Sequence, residues 1–192
     1  MMFKRFMKIN EFFFFFTGLF VVDGEYCVTC GSDKTLKLWN PKTKLMLKTY
    51  SGHAYEVMDI DCSYDSGFLL SGSKDKTLIV WDVMSGQVVR RIRAHIGPVN
   101  SVCFNEDASV LISGSLDGTV KLWDNKSKTN EPIQTLDEAK DSVSYVTVTD
   151  HEIVSVSLDG HLRRYDIRKG QMDDDNLHGK FPFIFFFSFC KN

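Results

Sequence analysis

Short runs of apolar and β-branched residues, bounded by polar turns, follow one another through the middle of this chain. Thr77 to Trp81 (TLIVW) is such a run, ending on an aromatic. In a strand Leu78 and Val80 point to one face and Ile79 and Trp81 to the other. Both faces are apolar, so the sheet that holds this strand must be covered on both sides. Asp75-Lys76 and Asp117-Gly118 predict tight turns into such strands. Phe68–Gly72 precedes the run, Gln87–Ile92 follows it, and Val99–Phe104 opens the next unit. The pattern predicts four short strands in every 42 residues.

The units keep strict time. Segments ending at Asn40, Asp82, Asp124 and Asp166 align without gaps, and Trp39, Trp81, Trp123 and Tyr165 lie 42 residues apart. Asp33, Asp75, Asp117 and Asp159 keep the same step, as do Thr29, Ser71, Ser113 and Ser155. His53 and His95 form a further column; the same step puts Asp137 in it for the fourth unit and Glu11 for the first. A four-stranded sheet cannot bury two apolar faces alone, and stacking units around an axis solves that problem.

The period, the Gly-His dipeptide Gly52-His53 and the Trp-Asp dipeptides Trp81-Asp82 and Trp123-Asp124 resemble the WD-repeat β-propeller family. The resemblance implies an all-β fold with about four blades of a seven-bladed propeller, incomplete and open. Residues 20–172 hold these blades, the first and last degenerate, between Phe-rich segments at 1–19 and 173–192. An open stack leaves two uncovered ends, through which the chain as written is expected to aggregate or associate unless the missing repeats are restored.

Each complete unit brings together His, Ser, Asp and Trp: His53, Ser71, Asp75 and Trp81, then His95, Ser113, Asp117 and Trp123. This imitates a Ser-His-Asp triad. Repetition at equal spacing in a stacking core argues against catalysis, which needs one strained, solvent-reachable constellation. The resemblance implies a hydrogen-bond relay from indole to hydroxyl to imidazole to carboxylate, satisfying polar atoms that stacking buries. Thr29, Asp33 and Trp39 in the first unit and Ser155, Asp159 and Tyr165 in the fourth form partial relays. The chain is therefore read as no enzyme.

Composition changes one part of this picture. Of 16 Phe, only Phe68 and Phe104 lie outside residues 1–20 and 181–192. Both ends share a Phe, Lys, Asn and Ile bias, as expected of translated A/T-rich non-coding DNA. Lys4, Arg5 and Lys8 before the run Phe12–Val22 imitate a signal peptide, but no small-x-small cleavage site follows. The net charge of −2 argues against direct nucleic-acid binding and against a polybasic membrane anchor. Five scattered Cys suit a reducing compartment; the expected location is the cytoplasm, with the nucleus as a second one.

Several local features have two readings. Cys27-Val-Thr-Cys30 is a CxxC, yet strand alternation puts the two thiols on opposite faces and no second CxxC supports a metal. Arg164 occupies the apolar column of Leu38, Val80 and Leu122, so it either pairs with an acid or marks a wet face. Tyr165-Asp-Ile-Arg168 resembles the motif by which some propellers dock cullin-type ubiquitin ligases, with Arg168 as the docking residue, although an exposed turn Arg explains it as well. Asp173–Asp175 lacks the Gly-punctuated loop of a calcium site. No cofactor, metal or small-molecule substrate is called for.

Loops on a stiff frame are where partners bind. Tyr55, Glu56 and Lys74, with Ile96, Asn100 and Leu116 one unit on, flank the relays and form the expected partner-binding face. Tyr55 serves equally as an anchor or as a loop-packing residue. The resemblance implies an interaction scaffold that gathers kinases of a mitogen-activated protein kinase cascade, with an association with spliceosomal proteins in mRNA processing. A ubiquitin-ligase substrate receptor and a structural subunit of an RNA-processing complex are the alternatives.

Overall fold

The computed structural model describes residues 17–20, 25–127, 129–149, 152–166, 169 and 171–176. Sixteen strands form four antiparallel sheets of four, each a simple meander in chain order. The first blade holds β1 (Thr17–Phe20), β2 (Cys27–Cys30), β3 (Thr35–Asn40) and β4 (Leu45–Ser51). The second holds β5 (Val57–Cys62), β6 (Phe68–Ser73), β7 (Thr77–Asp82) and β8 (Val88–Arg93). The third holds β9 (Val99–Phe104), β10 (Val110–Ser115), β11 (Val120–Asp124) and β12 (Gln134–Leu136). The fourth holds β13 (Val143–Val148), β14 (Glu152–Ser157), β15 (His161–Asp166) and β16 (Gln171–Asn176). The propeller is open: four blades stand side by side with no described fifth. Blade one begins at Thr17 and blade four ends at Asn176, so each runs a few residues into the Phe-rich segments set apart on composition.

The apolar core lies between blades. Leu36 and Tyr50 of blade one pack with Ile60, Leu69, Ile79 and Trp81 of blade two. Leu78, Val80 and Ile92 of blade two meet Val102, Leu111 and Trp123 of blade three. Ile112, Val120 and Leu122 of blade three meet Val146, Ile153 and Tyr165 of blade four. The two faces of β7 thus serve two different interfaces, as its alternation requires. Trp81 and Trp123 are buried, each against the blade before it, whereas Trp39 is only half-buried. Such stacking removes apolar surface from water at roughly 25 cal/mol per Å2, a gain a lone sheet cannot make.

The close approach of blades is built into β6 and β10. A Cβ at Gly72 would lie 2.6 Å from Val99 Cγ1, and one at Gly114 2.7 Å from Val143 Cγ1. Only glycine admits the next blade's inner strand so near. Buried carboxylates then tie those inner strands together. Asp59 Oδ2 accepts from Ser101 Oγ and from the Val102 N–H, each at 2.9 Å, and Asp61 Oδ2 accepts from the Phe104 N–H at 2.8 Å. Ser101 Oγ in turn accepts from the Val146 N–H at 3.2 Å, so the tie runs on into blade four. At the rim Arg91 donates to the Gly52 carbonyl at 2.7 Å and Arg90 to the Asp124 carbonyl at 2.5 Å.

Candidate functional site

The relay Asp stands in the turn between the second and third strands of its blade, and the relay His in the connection entering the blade. In blade two the Trp81 indole N–H donates to Ser71 Oγ at 2.8 Å. Ser71 Oγ lies 2.8 Å from His53 Nε2, and His53 Nδ1 lies 2.9 Å from Asp75 Oδ2. Blade three repeats this: Trp123 to Ser113 at 3.0 Å, Ser113 to His95 Nε2 at 2.8 Å, and His95 Nδ1 to Asp117 Oδ2 at 3.0 Å. Both hydroxyls are fully buried. One arrangement of hydrogens satisfies every atom. The indole donates to the hydroxyl, the hydroxyl to Nε2, and Nδ1–H to the carboxylate, with the imidazole neutral.

The carboxylate also organises the loops. Asp75 accepts the Ala54 N–H at 2.8 Å, the Thr77 N–H at 3.0 Å and the Thr77 hydroxyl at 2.6 Å. Asp117 does the same with Ile96, Thr119 N–H and Thr119 hydroxyl. Burial alone would raise the Asp75 pKa, but His53, Thr77 and Ala54 outweigh it and hold the group well below the usual carboxylate range. Asp117 is held at about 2 against the same burial by Thr119, His95 and the Ile96 N–H. His95 moves down, because burial outweighs the attraction of Asp117.

The end blades solve the same problem with other residues. In blade one Trp39 donates to Thr29 Oγ1 at 2.9 Å as expected, but Asp33 pairs with Lys37 Nζ at 2.5 Å. In blade four the buried Arg163 reaches Ser157 Oγ at 2.6 Å and Asp159 Oδ2 at 2.8 Å. Asp159 is held far below the ordinary carboxylate range; burial opposes this, and Arg163 and Ser157 overcome it. Tyr165, whose position Trp fills elsewhere, donates to Glu138 Oε2 at 3.0 Å, and burial together with Glu138 raises its pKa. Lys37 and Arg163 share one column, four residues after the relay Asp, and sequence reasoning missed both. The column also holds Lys121 in blade three, which keeps His95 and turns its ammonium to the Ala94 carbonyl, so the cation alone gave no signal.

Asp137 is not the counterpart of the histidines. Val57 and Val99, 42 residues apart, pair with Ser73 and Ser115, but Val143 comes 44 residues after Val99 before pairing with Ser157. Two extra residues before β13 are balanced by a β13–β14 turn two residues shorter. The position four before Val143 is Ala139, and the next N–H, of Lys140, donates to Asp159 Oδ2 at 2.9 Å as Ala54 does to Asp75. Alanine stands where the imidazole would be, and the Arg163 guanidinium meets the carboxylate of Asp159 in its place, bonding Ser157 rather than the relay position Ser155.

Other expectations resolve plainly. β2 alternates so that Cys27 is half-buried and Cys30 buried. Arg164 is exposed and pairs with Asp173 at 2.8 Å, on the open face of blade four. Arg168 and Glu11 lie outside the described residues.

The loops above the relays form one ledge. Tyr55 is 58 % exposed with the Lys34 ammonium 5.6 Å over its ring, and Glu56 pairs with Lys74 at 3.5 Å. Ile96, at 81 % exposed, and Leu116 continue the ledge over blade three. Leu158, one step beyond Leu116, extends it over blade four and was not singled out from the sequence. Asn100 does not belong to it as a free anchor. Its amide donates to Ser142 Oγ at 3.0 Å and to the Val143 carbonyl at 2.8 Å, joining blades three and four.

Four-stranded meanders, apolar interfaces between them and a Trp–Ser–His–Asp relay in the middle blades define a β-propeller of WD repeats. The WD domain, G-beta repeat model matches residues 17–40, 45–82 and 86–124, and the chain belongs to that family. It is similar to WD repeat domain-containing protein 83 of Xenopus tropicalis, 72% identical over 158 residues, covering 82% of this chain and 50% of the relative. The Homo sapiens protein of that name is 70% identical over 156 residues, covering 81% of this chain and 50% of its own. The Dictyostelium discoideum homolog is 35% identical over 178 residues, covering 78% and 55%. The chain thus spans about half the length of these relatives. The solved structure of U3-55K superposes with a TM-score of 0.78 at 21% identity, over 86% of this chain and 53% of that one, and shows the shared fold.

Proposed function

We propose that the chain is a non-catalytic scaffold that holds protein partners on the ledge above its relays. In keeping with its resemblance to WD repeat domain-containing protein 83, kinases of a mitogen-activated protein kinase cascade are its clients, in the cytoplasm. Spliceosomal proteins form a second, nuclear set in mRNA processing. The observation that carries this reading is the contrast between ledge and frame. Tyr55, Ile96 and Leu116 stand exposed, while the polar side chains beneath them are satisfied by one another. A rigid frame with apolar loop residues binds at low ordering cost. It raises the effective concentration of two clients held together.

An acyl-transfer reading fails on access. Ser71 and Ser113 are 0 % exposed and accept an indole N–H, so neither can approach a substrate carbonyl. A fluorophosphonate probe is expected to leave Ser113 unlabelled; labelling would overturn the non-catalytic reading. The scaffold reading is tested by capture of purified Raf-, MEK- and ERK-type kinases on the immobilised chain. Tyr55→Ala with Ile96→Asp is expected to weaken capture at least about tenfold, and Val89→Asp, on the outer strand, to leave it unchanged. Equal capture by the ledge variant and the wild type would refute it. Capture of a ligase adaptor that is lost in Arg168→Ala would favour the substrate-receptor alternative.

A further inference from the structure

The ledge is continuous, and its two ends carry opposite charge. It runs along the contacts between the described blades, stitched by backbone hydrogen bonds. The Val57 N–H donates to the Gly31 carbonyl at 3.1 Å, the Ala94 N–H to that of Lys76 at 3.1 Å, and the Leu116 N–H to that of Pro98 at 2.9 Å. At the last contact a Cβ on Gly118 would lie 3.3 Å from the Ala139 carbonyl oxygen. Lys34, Lys74 and Lys76 stand exposed over blades one and two, with Arg93 beside them at the end of β8. Asp33 and Asp75 of the same turns are taken by Lys37 and His53, and Glu56 pairs with Lys74. Lys76 and Arg93 enter no ion pair among the described residues. Ile96 and Leu116 follow over blade three. Beyond them Asp137, Glu138 and Asp141 stand exposed with a single cation, Lys140, among them.

Two of these lysines are held at a backbone cost. Lys34 and Lys76 have φ of 66° and 70°, in the left-handed region, where the same turn of blades three and four holds Gly118 and Gly160. Glycine makes that turn without steric cost, so the lysines are kept for their side chains and not for the turn. Inside the protein those side chains have little to do. The Lys34 ammonium lies 5.6 Å over the Tyr55 ring and forms no salt bridge among the described residues, and Lys76 is exposed. An aromatic face under an ammonium, next to unpaired cations, offers apolar surface and positive charge together.

We propose that the ledge takes a partner segment with acidic residues at one end, large apolar residues in the middle and basic residues at the other. Its carboxylates meet Lys34, Lys74 and Lys76, its apolar side chains lie on Ile96 and Leu116, and its basic end faces Asp137 and Asp141. Resting on the reading of the ledge as the surface that holds partners, this adds the order of charges a client must carry. A nucleic acid, anionic along its whole length, matches only one end and is repelled at the other. Opposite charges in a fixed order select the partner and its direction more than they add affinity.

Panning a random peptide library on the immobilised full-length chain tests this. The enriched peptides are expected to carry acids on one side of large apolar residues and bases on the other. Fluorescence anisotropy then follows one enriched peptide, whose binding raised salt is expected to weaken. Lys34→Gly with Lys76→Gly is expected to keep the wild-type Tm or raise it, and to weaken that peptide at least about tenfold. Lys34→Gln with Lys76→Gln keeps the left-handed backbone without the charge and is expected to weaken it equally. Panning on Asp137→Lys is expected to reduce the preference for bases. Enriched peptides with no order of charge overturn the proposal, as does an affinity unmoved in both lysine variants. Peptides of acids alone, displaced by single-stranded RNA, overturn it in favour of a general anion site. Peptides blind to the lysines but lost in Tyr55→Ala with Ile96→Asp overturn it and leave the ledge a partner surface of another chemistry. Peptides indifferent to all of these variants remove the ledge reading as well.

Discussion

Blades two and four carry the same aspartate in the same turn and satisfy it in different ways. In blade two Asp75 meets a buried imidazole, and the hydrogen bonds run on through Ser71 to the indole of Trp81. In blade four Ala139 leaves that place open, and Arg163 meets Asp159 directly. The turn survives in both, with the following strand's first N–H bonded to the carboxylate at 3.0 Å in one and 3.1 Å in the other. What must be kept is an ionised, fully hydrogen-bonded carboxylate at the turn; the donor set is interchangeable. A neutral relay links the turn to the blade interface, while an ion pair satisfies the turn and leaves Tyr165 to find Glu138.

The largest break in this comparison is Arg163→Met. The pair with Asp159 is buried, and removing one partner leaves a charge without compensation, so a loss of about 3 kcal/mol is expected in chemical denaturation. The sharper form is the double variant Ala139→His with Arg163→Ile, which writes blade two's donors into blade four. It is expected to lose clearly less than Arg163→Met. An equal loss would show that the donor sets are not interchangeable.

Next in size is His95→Ala, which removes a packed ring and leaves Ser113 and Asp117 short of partners. The expected cost is about 2 kcal/mol, read as a lower Tm. An unchanged Tm would mean that the relay contributes nothing to stability.

Acid separates the blades further. The folded pKa of His95 is below its ordinary value, so the unfolded chain takes up the proton first, and stability present at neutral pH declines once pH falls below about 6.5. The Asp117 contribution is complete above its ordinary range and is lost as pH falls from about 4 toward the folded value of about 2. Asp159, paired with an arginine, responds only in that lower window. Hydrogen exchange at pH 5.5 is therefore expected to show β9–β11 loosened before β14–β15. Simultaneous loosening would contradict the assignment, and His95→Gln should flatten the upper window.

The fold was legible because an aromatic, a hydroxyl and a carboxylate each return at one step, and only stacked blades require that. The relays of the middle blades were legible for the same reason. The fourth unit was misread at Asp137 because two added residues before β13 and two removed after it cancel, leaving every downstream column in register. Arg163 went unnoticed beside Arg164 because alternation, not composition, decides which of two adjacent arginines is buried. Asn100 was taken for a surface anchor because its partners, Ser142 and Val143, sit one blade away in space and more than 40 residues away in sequence.

The smallest effect lies in the turn itself. Lys34, Lys76, Gly118 and Gly160 share a column, with φ of 66°, 70°, 81° and 83°. Each closes the turn by donating its N–H to the carbonyl three residues back, as Lys76 does to Ser73 at 3.1 Å. The left-handed conformation costs a lysine about 1–2 kcal/mol. Glycine escapes that cost but surrenders about 0.5–1 kcal/mol of chain entropy on folding. Lys76→Gly is accordingly expected to stabilise by about 0.5 kcal/mol. Gly118→Ala should cost about 1 kcal/mol, since its Cβ would also meet the Ala139 carbonyl oxygen at 3.3 Å. If Lys76→Gly instead destabilises, the lysine stem contributes something at the ledge that its backbone strain conceals, and the two halves of the column differ in more than conformation.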